Sequence, residues 1–248
     1  MGRGAAGDGL NGLDVSGVSF AYGEKQALRY VSFTVAPGRF CALLGPNGAG
    51  KSTLFSLLTR LFTTRDGTIK IAGHDLETDA RGAMARIGVV FQQSTLDLDL
   101  SVRRNLLYFA ALHGLGGAHA ARRVDEVLEV MDMSARARER ARDLNGGHRR
   151  RLEIARALMH DPAVLLLDEP TVGLDAASRA GIVDHVHRLC ADRGLTVFWA
   201  THLTDEVWPS DQVLILHQGR VLADKTCADL TVDTDLRDVF LIMTQVAA

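Results

Sequence analysis

Two patterns of apolar and polar positions follow one another along this chain. In residues 13–35, which include "LDVSGVSFAY" and "YVSFTV", apolar and polar side chains alternate, as in antiparallel strands that bury one face. Residues 67–76 indicate a further pair of strands. Other runs are mostly apolar, as in strands of a parallel sheet that are buried on both faces. These runs are residues 39–45, 86–92, 163–168, 195–200 and 212–223.

Helical spacing, with apolar residues three and four positions apart, dominates the stretch of about 95–160. Its clearest segments are "VRRNLLYFAALHGL" and "ARRVDEVLEVMDM". Helices are also predicted over residues 51–61 and 176–193. Because strands and helices alternate, we predict an α/β fold with a mostly parallel sheet, an N-terminal antiparallel β subdomain and an inserted helical subdomain.

The same patterns divide the chain into three parts. Residues 1–12 are rich in glycine and are predicted to form a flexible tail. Residues 13–225 are predicted to form one domain, with the helical insertion at about 95–160. Residues 226–248 are a C-terminal extension in which we find no clear pattern.

The composition is that of an ordinary globular protein: of 248 residues, 47% are hydrophobic and 23% charged, with a formal net charge of −2. Cys41, Cys190 and Cys227 lie too far apart for a disulfide framework or a zinc motif, which fits a reducing compartment. No apolar run approaches the roughly 18 residues that would cross a bilayer, and the N-terminus lacks the apolar core of a signal peptide. We therefore expect a cytoplasmic protein that reaches a membrane only through a partner.

The segment "GPNGAGKST" lies between a predicted buried strand and a predicted helix, and it matches the phosphate-binding pattern G-x-x-x-x-G-K-[ST]. Its glycines allow backbone N–H groups to surround phosphates, and the N-terminus of the helix adds its dipole. Lys51 would reach the β- and γ-phosphates, and the Ser52 hydroxyl would hold Mg²⁺. The nucleotide-binding residues predicted here are Gly45, Pro46, Asn47, Gly48, Ala49, Gly50, Lys51, Ser52 and Thr53.

A second predicted strand, "AVLLLDEP", delivers two adjacent carboxylates at its C-terminal end. Ligands of open parallel sheets bind at that end of the strands. Asp168 would hold Mg²⁺, directly or through water, and Glu169 would polarise the water that attacks the γ-phosphate. Without the phosphate loop such a pair would indicate a surface turn, but together the two motifs predict nucleotide hydrolysis.

These motifs belong to a longer series that runs through Tyr22, the phosphate loop, Gln92, "LNGGH", "LLLDEP", "VGLD" and "THL". From about residue 13 to 223, the chain resembles the ATP-binding subunits of ABC transporters. The resemblance implies that Tyr22 stacks on adenine, that Gln92 contacts Mg²⁺ and communicates with the membrane partner, and that His202 contacts the γ-phosphate. It also implies that Asp175 lies at the interface between two subunits. Because the pattern is "VVFQQ", Gln93 is the alternative to Gln92.

The family signature is usually Leu-Ser-Gly-Gly-Gln, and here it reads "LNGGH". Two glycines in the first turn of a helix cost about 1 kcal/mol each relative to alanine, so they indicate that something comes close to this backbone. The resemblance implies that the segment closes over ATP held by a second subunit. The asparagine that replaces serine is still a good N-cap and can donate a hydrogen bond to phosphate. The residues assigned to this contact are Leu144, Asn145, Gly146, Gly147 and His148.

Arginines are concentrated around this signature. Residues 134–156 contain eight arginines against three acidic residues, which raises the alternative of an RNA or phospholipid surface. Of the 28 basic residues in the chain, however, 24 are arginine, and no aromatic residues lie among those of this stretch. We therefore predict no nucleic-acid partner.

The favoured hypothesis is an ATP-hydrolysing motor subunit that forms a head-to-tail homodimer around two ATP molecules and drives a separate membrane permease. "LLYFAALHGL" and the end of the chain soon after the last strand resemble exporters of the drug-resistance type. "LNGGHRRRLEIARAL" with "TVGLDAASR" is also similar to subunits associated with pyrroloquinoline-quinone-dependent alcohol oxidation. The alternative is a non-transport ABC ATPase in cofactor assembly. A regulator that binds ATP without hydrolysis is disfavoured because Glu169 and His202 are both present.

Overall fold

Two β-sheets organise the part of the chain that this computed structural model describes, residues 12–246. In chain order the strands are β1 (Leu13–Tyr22), β2 (Lys25–Val35), β3 (Phe40–Leu44), β4 (Thr68–Ile71), β5 (His74–Asp75), β6 (Ile87–Val90), β7 (Val164–Asp168), β8 (Thr196–Thr201), β9 (Gln212–His217) and β10 (Arg220–Thr226). One sheet is antiparallel in the order β2-β1-β4-β5. The other has the order β10-β9-β3-β8-β7-β6 and is parallel except for the β9–β10 pair. The predicted α/β fold class is confirmed.

Helices cover the mostly parallel sheet and fill the insertion between β6 and β7. In chain order they are α1 (Lys51–Leu58), α2 (Ala80–Met84), α3 (Val102–Leu112), α4 (Gly117–Val130), α5 (Gly146–Ala157), α6 (Ala176–Arg193), α7 (Cys227–Leu230) and α8 (Leu236–Val246). The inserted helices α3, α4 and α5 begin and end within the stretch predicted to be helical. The predicted flexible tail, residues 1–12, lies outside the described residues apart from Gly12.

The central strands separate two hydrophobic cores. Along β7, Val164 and Leu166 pack toward the antiparallel sheet and α1, whereas Leu165 and Leu167 pack toward the inserted helices and α6. All four side chains are 0% exposed, which explains why the strand reads as one continuous apolar run. The carboxyl end of this doubly covered strand positions Asp168.

One predicted helix and one predicted strand end earlier than their apolar patterns suggested, whereas the helix predicted over residues 176–193 is confirmed. The predicted helix over residues 51–61 stops at Leu58, because Arg60 has a φ of 58° that no helix can accommodate. The predicted strand over residues 86–92 is ordered as a strand only to Val90. Phe91 and Gln92 therefore lie in a loop that leads from the sheet to the inserted helices.

The C-terminal extension contains helices that the sequence pattern did not reveal to us. Leu236, Val239, Phe240 and Met243 of α8 pack against a small core that includes Ile215 of β9. These residues are spaced by three, one and three positions, which is typical of a helix. The helical pattern was therefore present in the sequence, but over only a few residues. Among the residues described, no helix has the length and apolar character needed to cross a bilayer.

Candidate active site

Glycines shape the loop between β3 and α1. Gly48 and Gly50 have φ angles of 81° and 111°, which side chains rarely adopt. At Gly50 a Cβ atom would also lie 2.8 Å from Leu28 Cδ2 and 2.9 Å from the Ala27 carbonyl oxygen. The loop leads directly into the N-terminus of α1, where unpaired N–H groups and the helix dipole favour an anion.

Lys51, Glu169 and His202 converge at the carboxyl ends of three neighbouring strands. Lys51 follows β3, is 6% exposed, and its Nζ donates to the Gly45 carbonyl oxygen at 2.5 Å. The same Nζ lies 3.5 Å from Glu169 Oε1, and Glu169 Oε1 lies 3.4 Å from His202 Nδ1. Three residues predicted to surround the γ-phosphate are therefore side by side in the folded chain.

The backbone of Glu169 turns sharply as it leaves β7. Its φ is 46°, and its N–H donates to the Ala200 carbonyl oxygen of β8 at 2.9 Å. A non-glycine residue in the left-handed region is uncommon and costs free energy. This turn directs the Glu169 carboxylate toward Lys51 and His202 instead of continuing the strand.

Asp168, the last residue of β7, has an unfavourable electrostatic environment. Burial and the neighbouring Glu169 carboxylate raise its pKa, and Lys51 only partly offsets them. A second positive charge near Asp168 would relieve this strain, since a cation stabilises the ionised form.

An open cavity of 730 Å³ adjoins these groups. Its walls include the phosphate loop and the predicted residues Tyr22, Gln92 and Glu169. Of the two adjacent glutamines, Gln92 is the one that lines it. Sequence reasoning missed Arg29 and Gln218, which also line the cavity and which carry no motif of their own.

Tyr22 stands at the edge of this cavity as the last residue of β1. Its hydroxyl is 3.3 Å from Thr53 Oγ1, and its ring packs edge-on against Phe20 and Phe62, with centroids 5.1 and 5.7 Å away. The ring is 48% exposed. A fixed, half-exposed aromatic face beside a phosphate loop is suited to stacking on a nucleobase.

The signature segment forms the N-terminus of α5. Asn145 is the N-cap, and its Oδ1 accepts a hydrogen bond from the His148 backbone N–H at 2.8 Å. The two glycines have an intramolecular role, because a Cβ at Gly146 would lie 3.0 Å from Leu174 Cδ2 and one at Gly147 would lie 3.0 Å from Ser178 Oγ. The close approach that the glycines indicated therefore includes the start of α6 in the same chain.

His148 and Asp175 lie away from the cavity. Burial and the nearby arginines Arg136 and Arg151 lower the pKa of His148. Asp175 is the N-cap of α6 and accepts from the Ser178 backbone N–H and hydroxyl at 2.9 and 2.7 Å. Within residues 12–246, the cavity walls include neither Asp175 nor any residue of the signature segment 144–148.

Glu206 is a residue of the site that sequence reasoning missed. It is 1% exposed, and its carboxylate accepts hydrogen bonds from the Thr171 hydroxyl and, at 2.9 Å, from Trp199 Nε1. Thr171 follows Glu169 by two residues, and Trp199 precedes His202 by three. Glu206 therefore links the segment that follows Glu169 to strand β8, which precedes His202.

The donor set suits Mg²⁺ better than a transition metal. Ser52 and Gln92 line the cavity, and Asp168 adjoins Glu169, so the available ligands are a hydroxyl, an amide oxygen and a carboxylate. Among the described residues no cluster of three His, Cys, Asp or Glu side chains is arranged to hold a metal. Mg²⁺ usually keeps several waters and binds through one or two protein oxygens together with substrate phosphates.

Comparison with known proteins agrees with this geometry. The family model described as ABC transporter matches residues 28–172. The daunorubicin resistance ATP-binding protein DrrA3 of Streptomyces coeruleorubidus is 40% identical over 232 residues, which are 92% of this chain and 73% of that protein. The linearmycin resistance ATP-binding protein LnrL of Bacillus subtilis is 36% identical over 219 residues, 88% of this chain and 70% of that protein.

A solved structure shows the same fold. CbiO1 from Clostridium perfringens, described as part of the ABC transporter complex cbiONQ, superimposes with a TM-score of 0.80 at 27% identity and covers 94% of this chain and 98% of its own. The resemblance inferred from the motifs is confirmed. The chain belongs to the ABC transporter family, as an ATP-binding motor subunit that hydrolyses ATP.

Proposed function

We propose that this subunit hydrolyses Mg-ATP at a site completed by a second copy of the chain, and that closure of the two copies drives a membrane permease, in the direction of export. The observation that supports the site most strongly is the position of Glu169 Oε1, 3.5 Å from Lys51 Nζ and 3.4 Å from His202 Nδ1. These three groups surround the place where the γ-phosphate would lie above the phosphate loop.

The phosphates would replace the internal partners that Lys51 now has. Its Nζ is shared between the Gly45 carbonyl oxygen and Glu169. The β- and γ-phosphates bring more negative charge to the same position, together with the N–H groups of residues 48–53. Adenine would stack on Tyr22 at the far end of the cavity.

Glu169 would orient and polarise the attacking water. The water oxygen bonds to the γ-phosphorus, the bond from that phosphorus to the β–γ bridging oxygen breaks, and ADP keeps that oxygen. The proton leaves the water toward Glu169 and passes to the departing phosphate. His202, held beside the Glu169 carboxylate, donates a hydrogen bond to a γ-phosphate oxygen and stabilises charge in the transition state.

Ser52, Gln92 and Asp168 would hold Mg²⁺, which supplies a positive charge that neutralises the β- and γ-phosphate oxygens. The raised pKa of Asp168 supports this role, because a carboxylate strained in the nucleotide-free protein is stabilised when a cation is bound beside it.

The second half of the site would come from the signature segment 144–148 of the other copy. Asn145 uses its Oδ1 for the cap, which leaves its amide N–H groups to donate to phosphate. Gly146 is exposed at the start of α5, where the helix dipole favours an anion. Asp175 would lie at the interface formed by the two copies. ATP would hold the copies together, and hydrolysis would release them.

The permease and the export direction are supported by the relatives. DrrA3 and LnrL are named as resistance proteins, and a Nod factor export ATP-binding protein of Paraburkholderia xenovorans is 40% identical over 213 residues, 86% of this chain and 70% of that protein. The subunit would therefore bind the cytoplasmic face of the membrane through its permease. The similarity to subunits of quinone-dependent alcohol oxidation stays a prediction.

The decisive experiment is the mass in solution of the Glu169→Gln protein with and without Mg-ATP, measured by light scattering behind gel filtration. We expect the carboxamide to bind ATP without activating water, so kcat falls about a thousandfold and the 26.9 kDa chain doubles its mass when ATP is added. Glu129→Gln, an exposed change on α4, is the matched control and keeps wild-type turnover. A Glu169→Gln protein with near-wild-type turnover would contradict the base, and one that binds ATP as a monomer would contradict the composite site.

A further inference from the structure

The arginines that follow the signature bind the chain's own backbone. Arg149 Nε donates to the Leu144 carbonyl oxygen at 2.9 Å, and Arg151 Nη1 donates to that of Met131 at 3.1 Å. Each guanidinium group thus fixes a loop of the helical insertion to α5. The three consecutive arginines, for which the sequence indicated no function, all make contacts within the chain. The contacts of Arg150 are the most informative.

Arg150 is bound to the loop that carries Gln92. Its Nη1 donates to the Phe91 carbonyl oxygen at 2.9 Å, and its Nη2 donates to the Gln92 carbonyl oxygen at 3.2 Å. The residue is 8% exposed, and Nη1 also donates to Glu153 Oε2 at 2.6 Å. A planar guanidinium presents separate nitrogens to two successive carbonyl groups in a fixed fork, whereas a lysine ammonium carries its donors on a single nitrogen.

Arg156 holds the other end of the same loop. Its Nη1 donates to the Thr95 carbonyl oxygen at 2.7 Å, its Nη2 contacts the Thr95 hydroxyl, and its guanidinium lies 5.1 Å from the centre of the Phe109 ring. Residues 91–95 are therefore attached to α5 at both ends.

We propose that Arg150 is a positioning residue that makes the signature segment 144–148 and Gln92 move together. Arg150 lies one turn after Gly146 on the same helix, about 6 Å along its axis. A displacement of the helix N-terminus toward the ATP of the second copy is therefore transmitted by a rigid element to the main chain of Gln92. This coupling has a function only if ATP is bound between two copies and Gln92 has the role proposed above.

Hydrogen exchange of two segments tests the coupling directly. In the Glu169→Gln background, we expect Mg-ATP to slow exchange of the amides of residues 144–150 and of residues 91–95. Arg150→Lys keeps a cation beside Glu153 but lacks the planar fork that holds the Phe91 and Gln92 carbonyl groups together. It should leave the ATP response of residues 144–150 intact and remove that of residues 91–95.

A kinetic measurement on the otherwise unchanged chain gives a second readout. Arg150→Lys should lower kcat about fivefold while the KM for ATP stays within about twofold, because the phosphate loop 45–53 is unchanged and only the position of residues 91–95 is altered. The matched control is Arg151→Lys, one residue further along α5, whose contacts are to Met131 and Asp132. It should change neither the exchange pattern nor kcat.

The outcomes separate the two proposals. If residues 91–95 respond to ATP as strongly in Arg150→Lys as in the reference protein, the coupling is wrong and the composite site stands. If residues 144–150 show no response in the reference protein, the composite site is wrong and the coupling fails with it. Should Arg150→Lys not fold, Arg150→Met combined with Glu153→Leu removes both charges of the buried pair and takes its place.

Discussion

The phosphate-loop side of the site and the signature segment are built in different ways. On the first side, the ends of β3, β7 and β8 bring Lys51, Glu169 and His202 together within one chain. The signature segment is built on the first turn of α5, and its own cap and glycine contacts involve residues 145–148 and the start of α6. The difference is that the sheet brings the proposed catalytic groups together within one chain, whereas the proposed ligand of the signature segment is held by a second copy.

The largest expected effect comes from Glu206, on the phosphate-loop side. Glu206→Ala leaves the buried Trp199 N–H and Thr171 hydroxyl without acceptors, so we expect the free energy of unfolding to fall by about 3 kcal/mol. Glu206→Gln keeps an acceptor for Trp199 and should lose less than half of that. Urea unfolding with tryptophan fluorescence measures the stability, and phosphate release measures turnover.

The same variants also test whether Glu206 orders the segments that carry Glu169 and His202. In Glu206→Gln we expect kcat to fall about tenfold with little change in the KM for ATP, since a carboxamide has one acceptor oxygen and cannot accept from Thr171 and Trp199 with two separate oxygens as the carboxylate does. A Glu206→Gln protein with wild-type kcat would show that the residue only stabilises the fold.

A smaller effect is expected at the signature segment. Asn145→Ala removes the side-chain acceptor for the His148 N–H and should cost about 1 kcal/mol of stability. Asn145→Ser keeps a cap and should keep the stability. In the Glu169→Gln background, the alanine variant should need several times more ATP for dimerisation than the serine variant, while the affinity of the monomer for ATP is the same in both. Equal dimerisation of the two variants would contradict a role for the Asn145 side chain in closure.

The sequence predicted the features that depend on neighbouring residues and missed those that depend on distant ones. Elements that depend on local pattern were predictable: the apolar run of β7, the glycines of the phosphate loop and the N-cap Asn145 each carry their physical reason in adjacent residues. Contacts between distant segments were not. Glu206 is bound to side chains far apart in sequence, and its type gives no sign of burial.

The arginines of α5 show a second limit of prediction from sequence. Arg150 binds carbonyl oxygen atoms 58 and 59 positions away, and a carbonyl group leaves no mark in the sequence because every residue has one. Charge counting indicated an excess of arginine around the signature, which is correct, but it could not distinguish a solvent-facing surface from a set of internal contacts.

The smallest expected effect concerns Asp168. A change at this residue sharpens the comparison with the signature segment, because it measures the electrostatic strain on the phosphate-loop side. Burial and Glu169 raise the Asp168 pKa in the folded chain. The folded state therefore holds this proton more tightly than the unfolded state, and the free energy of unfolding falls as the pH rises from the unfolded pKa, about 4, through the folded one. At any pH above the folded pKa, the free energy of unfolding carries the full cost of the ionised, buried Asp168 carboxylate.

Asp168→Asn removes the ionisable group and should therefore raise the melting temperature of the nucleotide-free protein at pH 7 by roughly 1 to 3 °C. The gain should shrink as the pH is lowered toward 4.5, and Asp192→Asn, an exposed change on α6, should show no such dependence. Added Mg-ATP should reverse the order, because the wild-type carboxylate then has a cation to bind and the carboxamide does not. If Asp168→Asn is less stable than wild type at pH 7 without nucleotide, the strain at Asp168 is compensated within the chain, and the phosphate-loop side does not depend on its ligand in the way we propose.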